Sequence, residues 1–323
     1  MRTIHILACI VFFIGAFLAC GSQPEQAAPA LRTRAEAIPA GAVKVSPATD
    51  AHPPMLHSDE FDQPVPLGSG VNSAGGEDSA FVLPDGSMIY FFFTPNVGIP
   101  AEKQLFDGVT GIWVSKKSAG TWQQAERVVL RDKNQLALDG AAFVQGNTMW
   151  FASARQGNLR GMDMWTATYR DGKWGGFTNA GEKLNLQYEI GEMHITADGK
   201  SMYFHSPRAG GQGGYDIWLT SMKDGQWQQP VNVTEVNSDG TDGWPFLTQD
   251  GNELWFTRTY MGTPAIYRTE KSGGKWGEPE MIVSQFAAEP SLDNNGNLYF
   301  THHFFKDNKM IEADIYMAPR KAR

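Results

Sequence analysis

The chain has 323 residues, 41% hydrophobic and 12% aromatic, with ten Trp, enough to bury one large core. Its formal charge is −8 and it carries no basic run; neutralising phosphates takes clustered Lys and Arg, so a nucleic-acid-binding role is excluded as an expectation.

The N-terminus reads as an export signal. Arg2 supplies a positive start, and residues 6–19 form an apolar run of fourteen residues, short of the ~20 a membrane span needs and suited to a signal-peptide core. The run ends in Leu18-Ala19-Cys20-Gly21-Ser22. This resembles the lipobox of bacterial lipoproteins, with Phe17 at a place where that family usually has Leu. The resemblance implies acylation of Cys20 after removal of residues 1–19, and hence a partner membrane through the lipid, in the cell envelope. It points to the outer membrane in a Gram-negative source, facing the periplasm or the surface. The alternative is an ordinary signal peptide cleaved near Ala19, leaving Cys20 free. Cys9 leaves with the signal either way, so the mature chain holds one cysteine and no internal disulfide.

Residues 20–57 are rich in Ala and Pro and poor in large apolar side chains. Such a stretch cannot offset the entropy of ordering. It is expected to be a flexible tether with a span of roughly 30–37 Å.

From residue 58 onward the sequence repeats itself. Hairpin turns are expected at Asp85-Gly86, Gln145-Gly146, Asp198-Gly199, Asp250-Gly251 and Asn295-Gly296, spaced 60, 53, 52 and 45 residues apart. Gly accepts positive φ there and Asp or Asn tolerates it. After each turn comes an aromatic strand: Met88-Ile89-Tyr90-Phe91, Met149-Trp150-Phe151, Met202-Tyr203-Phe204, Leu254-Trp255-Phe256 and Leu298-Tyr299-Phe300. A third strand begins near Ile112, Met164, Ile217, Ile266 and Ile315, and a fourth near Trp122, Trp174, Trp227 and Trp276. One strand order recurring five times predicts an all-β fold, a five-bladed β-propeller over residues 58–319, with 320–323 a tail. A sandwich with coincidental turns would not repeat the order. The fifth unit lacks its fourth strand. Residues 61–67, Phe-Asp-Gln-Pro-Val-Pro-Leu, resemble Trp227-Gln228-Gln229-Pro230-Val231, so an N-terminal strand is expected to complete the last blade beside Ile315 and close the ring.

The stretches Glu192-Met193-His194-Ile195-Thr196-Ala197-Asp198-Gly199 with Met202-Tyr203-Phe204, Gly214-Tyr215-Asp216-Ile217-Trp218, and Asp250-Gly251-Asn252-Glu253-Leu254-Trp255-Phe256 resemble the WD40-like repeats of TolB-type propellers in bacterial envelope proteins. That resemblance implies a fold and leaves activity open, because the architecture hosts many functions.

Six positions before each turn lie Ser79, Asp139, Glu192, Trp244 and Glu289, with Asp78 and Asp242 close by. All are expected at one mouth of the central channel, as a binding surface for an envelope protein or a glycan. Converging carboxylates shift one another's pKa, so the competing reading is a glycoside hydrolase using Asp139, Glu192 and Glu289. His194 shares a strand face with Glu192 and is assigned to the same surface, although a satisfied buried histidine fits it as well. His302 and His303 are expected in a loop. The chain shows no complete nucleophile, phosphate-loop or metal-ligand motif, so no cofactor and no metal are expected.

Overall fold

The computed structural model describes residues 29–322. The expected signal peptide, Cys20 and residues 20–28 of the expected tether lie outside the described residues, as does Arg323. Before the first repeat come a one-turn helix, α1 (Arg34–Ala37), and two short strands, β1 (Met55–Leu56) and β2 (Val65–Pro66).

Among the described residues the remaining strands form antiparallel meanders in the expected order, a propeller-type all-β fold. The first runs β3 (Gly76–Val82), β4 (Met88–Thr94) and β5 (Gly111–Ser118), with β6 (Thr121–Trp122) and β7 (Glu126–Arg127) on the edge of β5. The second is β8 (Ala137–Gln145), β9 (Thr148–Arg155), β10 (Asp163–Arg170) and β11 (Lys173–Asn179). The third is β12 (Met193–Ile195), β13 (Ser201–Ser206) and β14 (Asp216–Lys223), edged by β15 (Gln226–Trp227) and β16 (Val231–Asn232). The fourth is β17 (Asp242–Leu247), β18 (Glu253–Tyr260) and β19 (Thr263–Ser272), edged by β20 (Lys275–Trp276) and β21 (Glu280–Ser284). The fifth is β22 (Ala287–Leu292), β23 (Leu298–Lys306) and β24 (Lys309–Ala318). Strand β2 adds to β24 through Val65↔Met317 and Pro66↔Tyr316, and the Leu67 N–H donates to Ile315 O at 2.9 Å.

In four of the meanders the second strand is apolar at consecutive positions because both its faces are buried, whereas in β9 one face, with Trp150 and Ala152, is only half-buried. Ile89, Phe91 and Phe93 are fully buried, and so are Tyr299 and Phe300 on opposite faces of β23. Burying each such side chain stabilises the fold by about 1.5–3 kcal/mol. The Asp-Gly turns have a local cause: Asp85, Asp198 and Asp250 each accept the N–H two residues on, at 2.9, 3.0 and 3.1 Å, while Gly86, Gly199 and Gly251 hold φ near +70°. The second meander differs from expectation. Gln145 still pairs with Thr148, so its turn is Gly146-Asn147, two residues shorter than the turn at Asp85.

The tether expectation is corrected for residues 29–57, which lie along the domain. Arg34 is buried and ion-paired with Glu77 at 3.0 Å, beneath the rings of Phe91, Phe93 and Trp113. Lys44 pairs with Glu312 and, at 2.5 Å, with Asp314. Asp50 meets His302 at 2.8 Å, His57 meets Ser284 at 2.7 Å, and β1 pairs with β21. Composition missed this because the contacts are made by isolated charged side chains and a few scattered apolar ones, Ala37, Ile38, Val45 and Leu56, and not by a continuous apolar face. The expected tail is likewise tied down: Arg320 bridges to Phe61, and the Lys321 N–H donates to Glu60 O at 2.9 Å.

One repeated sequence feature explains the Lys44 contact. The aspartate that opens the third strand organises the preceding loop: Asp163 accepts from the Leu159 N–H at 2.6 Å, and Asp216 from Gln212 and Gly213 at 2.5 and 3.0 Å. In the fifth unit that loop is only residues 307–308, so Asp314 has no loop amide of this kind and takes Lys44 instead. The loops at 95–110, 156–162 and 207–215 are long, whereas 261–262 and 307–308 are short. The long loops of the first three units stand at the same end of the fold as the starts of the inner strands.

Candidate functional site

Four of the five inner strands carry an irregularity at the same depth. Register shifts fall between Asp78 and Phe81, Gly140 and Phe143, Gly243 and Phe246, and Ala288 and Ser291. At each shift one residue takes left-handed backbone: Ser79, Ala141, Trp244 and Glu289, with φ of 49°, 53°, 52° and 59°. In the third unit Glu192 holds the matching place, just before β12, where the His205 N–H donates to its carbonyl at 3.1 Å. Bulges re-aim side chains, and strain of this kind, ~1–3 kcal/mol per residue, collects at sites. Here it turns Ser79, Ala141, Trp244 and Glu289 toward a common axis, where they line, with Glu192, a void of about 40 Å³.

This alignment corrects the placement of Asp139. Counting back from Gln145 overshoots by two because the second turn is short, so Ala141 occupies the mouth position. Asp139 and Asp242 each lie two residues before a bulge, buried and paired with an arginine of the next strand. Asp139 meets Arg155 at 2.6 Å and accepts from the Ser153 hydroxyl at 2.7 Å. Asp242 meets Arg258 at 2.5 Å and accepts from the Ser238 N–H and hydroxyl, both at 2.7 Å. Both brace the rim, as Glu77 does with Arg34.

Below the mouth the axis is filled. Two residues beyond each bulge stand Phe81, Phe143, His194, Phe246 and Ser291. The His194 ring lies 4.8 Å from Phe143 and 4.6 Å from Phe246, centroid to centroid. His194 is therefore part of an aromatic plug and faces away from Glu192's cavity. Burial drives its pKa down to about 3. A base depressed in the folded state binds its proton more readily when unfolded, so its contribution is present above the unfolded pKa and is lost as pH falls below about 6.5. Relative to His194→Phe, the wild type is expected to lose about 2 kcal/mol of stability between pH 7 and pH 5. Paired denaturant titrations at the two pH values check this; parallel pH profiles for the two proteins would refute it.

Three carboxyls converge on Ser79. Its N–H donates to Glu289 Oε2 at 2.7 Å and to Asp78 Oδ1 at 3.0 Å, and its hydroxyl donates to Glu192 Oε1 at 3.4 Å. Glu289 also accepts from the Thr301 hydroxyl at 3.0 Å, and His303 Nε2 stands 3.5 Å from Asp78 Oδ1. The charges divide unequally. Burial raises Asp78, but hydrogen bonding to Glu289 and the His303 imidazole outweigh it and hold Asp78 well below the ordinary carboxylate range. Glu289 is pushed well above that range by burial, then by the Asp78 charge. Glu192 is pushed up to about 8 by burial and Asp78, with a hydrogen bond to Trp244 acting the other way. The shifts run in opposite directions, Asp78 toward the ionised form and Glu192 and Glu289 toward the protonated one, since like charges this close oppose one another's ionisation.

Glu192 and Trp244 open onto a cavity of about 290 Å³ walled also by Arg160, Glu189, His205 and Tyr215. His205 accepts the Trp244 N–H at its Nδ1, 3.2 Å away. Its ring lies 4.8 Å from Trp244 and 5.2 Å from Tyr215, a three-ring wall beside an acid. Of the expected mouth residues, Glu192 and Trp244 face this cavity, Asp78 lines its floor, and Glu289 ties Ser79 from below. Sequence reading missed His205, Tyr215 and Arg160. His205 ends the repeated aromatic strand and Tyr215 precedes the repeated Asp, so both had a positional signal; Arg160, in a loop, had none. His302 and His303, expected in a loop, are buried in β23. Strand alternation sends one to Asp50 and the other to Asp78. Among the described residues, no three or more His, Cys, Asp or Glu side chains are grouped to hold a metal ion.

No family model matches the sequence, and no curated protein does. Solved structures similar to it include TolB from Acinetobacter baumannii, 15% identical with a TM-score of 0.46, over 77% of this chain and 56% of that one. The chain thus spans little more than half of that protein. A putative TolB from Agrobacterium tumefaciens is 15% identical, TM-score 0.42, over 92% of each chain. An alpha-L-arabinofuranosidase from Lactobacillus brevis is 11% identical, TM-score 0.47, over 76% of this chain and 90% of that one. None of the three lends a site residue to this chain.

Proposed function

We propose that this chain is an envelope lipoprotein, anchored through Cys20, whose five-bladed propeller binds a glycan at its mouth. The observation that carries the binding reading is the Glu192 carboxyl, its pKa pushed up by burial, set beside the Trp244, His205 and Tyr215 rings in a concave, plugged pocket. A carboxylic acid can donate to and accept from sugar hydroxyls, and aromatic faces cover the apolar C–H face of a sugar ring. Pockets of a few hundred Å³ with a few convergent polar groups are what small ligands occupy. A concave site of this size favours a glycan over a flat protein surface.

Blade count and closure belong to this proposal. Their support is a clamp that recurs at blade junctions. Asn185 brackets Met164, donating to its carbonyl at 3.3 Å and accepting its N–H at 2.8 Å. Asn237 brackets Ile217 in the same way at 2.9 and 2.8 Å. Asn72 brackets Ile315 at 2.9 and 3.0 Å. The stretch through residue 72 thus stands to the fifth unit as the ends of the second and third units stand to their own third strands, which supports a ring of five.

A glycan array followed by calorimetry tests the binding reading. Trp244→Ala is expected to weaken any saccharide bound by the wild type at least tenfold, about 1.4 kcal/mol; equal affinity would overturn it. Cys20→Ser is expected to move the protein from the membrane fraction to the soluble one or to block its processing, and unchanged fractionation would refute the anchor.

One observation favours a second reading, glycoside hydrolysis. Burial and the Asp78 charge push Glu192 up while Asp78 is held low, and a split of this kind separates an acid from a base. Glu192 would then protonate the leaving oxygen while a water, giving its proton to the Asp78 carboxylate, adds to the anomeric carbon, and activity would fall as pH rises through about 8. Reducing ends released by the wild type and lost in Glu192→Gln would establish this reading; no release from any bound glycan would remove it.

A further inference from the structure

We propose that the mouth is one end of a longer cleft for an uncharged, elongated saccharide of several units, which continues past Arg160 into the groove between the first and second meanders. The inference rests on the saccharide reading of the mouth and extends it to a ligand class. Beyond the 290 Å³ cavity lies a second of about 1010 Å³, and the two share Arg160 and Gly161 in their walls. The loops at 156–162 and 207–215 wall the first, and the loops at 95–110 and 156–162 wall the second. The second cavity is bordered by Phe106 from the loop at 95–110 and by Leu159 from the loop at 156–162, which face solvent at 41% and 43% exposure. Large apolar side chains left exposed on two loops around one cavity mark a binding groove more than a packing accident.

The shape and chemistry select the occupant. Single ligand pockets run to about 300–1,000 Å³, so a joined cleft of this length exceeds what one sugar ring can fill. Amide side chains stand with the apolar ones, Asn134 and Gln156 among them, a mixture that meets hydroxyls and C–H faces together. An anionic polymer is disfavoured by the wall carboxylates, and Arg155 and Arg160 in the wall of the second cavity leave a cationic one no net acidic surface there. Arg160, at the junction, already donates to Met162 O and Ile190 O, both at 2.8 Å, and Glu102 and Glu189 wall the two cavities.

The test is calorimetry of the mature chain with xylan-, mannan- and cellulose-derived oligomers of one to six sugars. Affinity is expected to rise at least tenfold from two units to five. In Phe106→Ser and Leu159→Ser that gain should vanish while affinity for the shortest bound oligomer stays at the wild-type value. Trp244→Ala should weaken every length. Affinity that is Trp244-dependent but flat with length overturns the extended cleft and leaves the mouth reading standing. Binding of no length overturns both. A Phe106-dependent affinity for an apolar peptide, without a length-dependent saccharide, assigns the groove to a peptide and likewise overturns the proposal.

Discussion

Replacing Arg34 by Ala is expected to lower the free energy of unfolding by about 3–5 kcal/mol, the usual cost of breaking a buried ion pair by removing one partner. Glu77 is fully buried, and apart from Arg34 at 3.0 Å its carboxylate has only Ser73 to satisfy it. The guanidinium also reaches the Gly70 and Val71 carbonyls and lies about 5.5 Å from the ring centroids of Phe91, Phe93 and Trp113. Its loss would strand a carboxylate against three aromatic rings. Burial already raises Glu77 in the presence of Arg34, and without it the carboxyl would take up a proton. An acid raised in the folded state stabilises below its unfolded pKa and loses that contribution as pH rises, so the deficit of Arg34→Ala should shrink as pH is lowered toward the carboxylate range. Denaturant melts of wild type and variant across pH measure it. A loss below about 1 kcal/mol would return residues 29–57 to the status of a free tether.

Phe61→Ala is expected to cost about 3–5 kcal/mol, as other large truncations in well-packed cores do. Phe61 is 1% exposed. It meets the edge of Trp255, in the fourth meander, at 6.0 Å, and lies under Arg320, past the end of the fifth, at 4.8 Å. It joins two units that the main chain links only through a short turn. Deleting residues 58–72 should be worse, because it would also remove β2 and the Asn72 clamp and leave the outer edge of β24 with only its single bridge to β3, Ala313↔Gly76. Exposed strand edges template association, so the deletion is expected to give oligomers on size exclusion as well as a lower melting temperature. A monomer of unchanged stability would refute the closed ring.

At the mouth, the spacing of residues before each turn was enough to find Glu192, Trp244 and Glu289, since strand depth follows from counting when hairpins are alike. It failed at Asp139, where a hairpin two residues shorter carried the count past the bulge to a rim aspartate paired with Arg155. The difference between a mouth acid and a rim acid is two residues along a strand, and only the bulge decides which side chains turn toward the axis.

The sequence by itself determined the all-β repeat: the Asp-Gly turns, the doubly buried aromatic strands and the fit of residues 61–67 to the fifth unit are local features, written in nearest-neighbour chemistry and in which faces must be covered. Only the tertiary structure decided where single polar side chains go. Arg34, Lys44 and Asp50 sit in a stretch with no apolar pattern, and they dock because Glu77, Asp314 and His302 wait buried about 40 to 270 residues away in the chain. The division of protons among Asp78, Glu192 and Glu289 belongs to the same class. It depends on distance and burial among residues from three different meanders, and Coulomb interactions at a few ångströms have no signature in the order of residues along a chain.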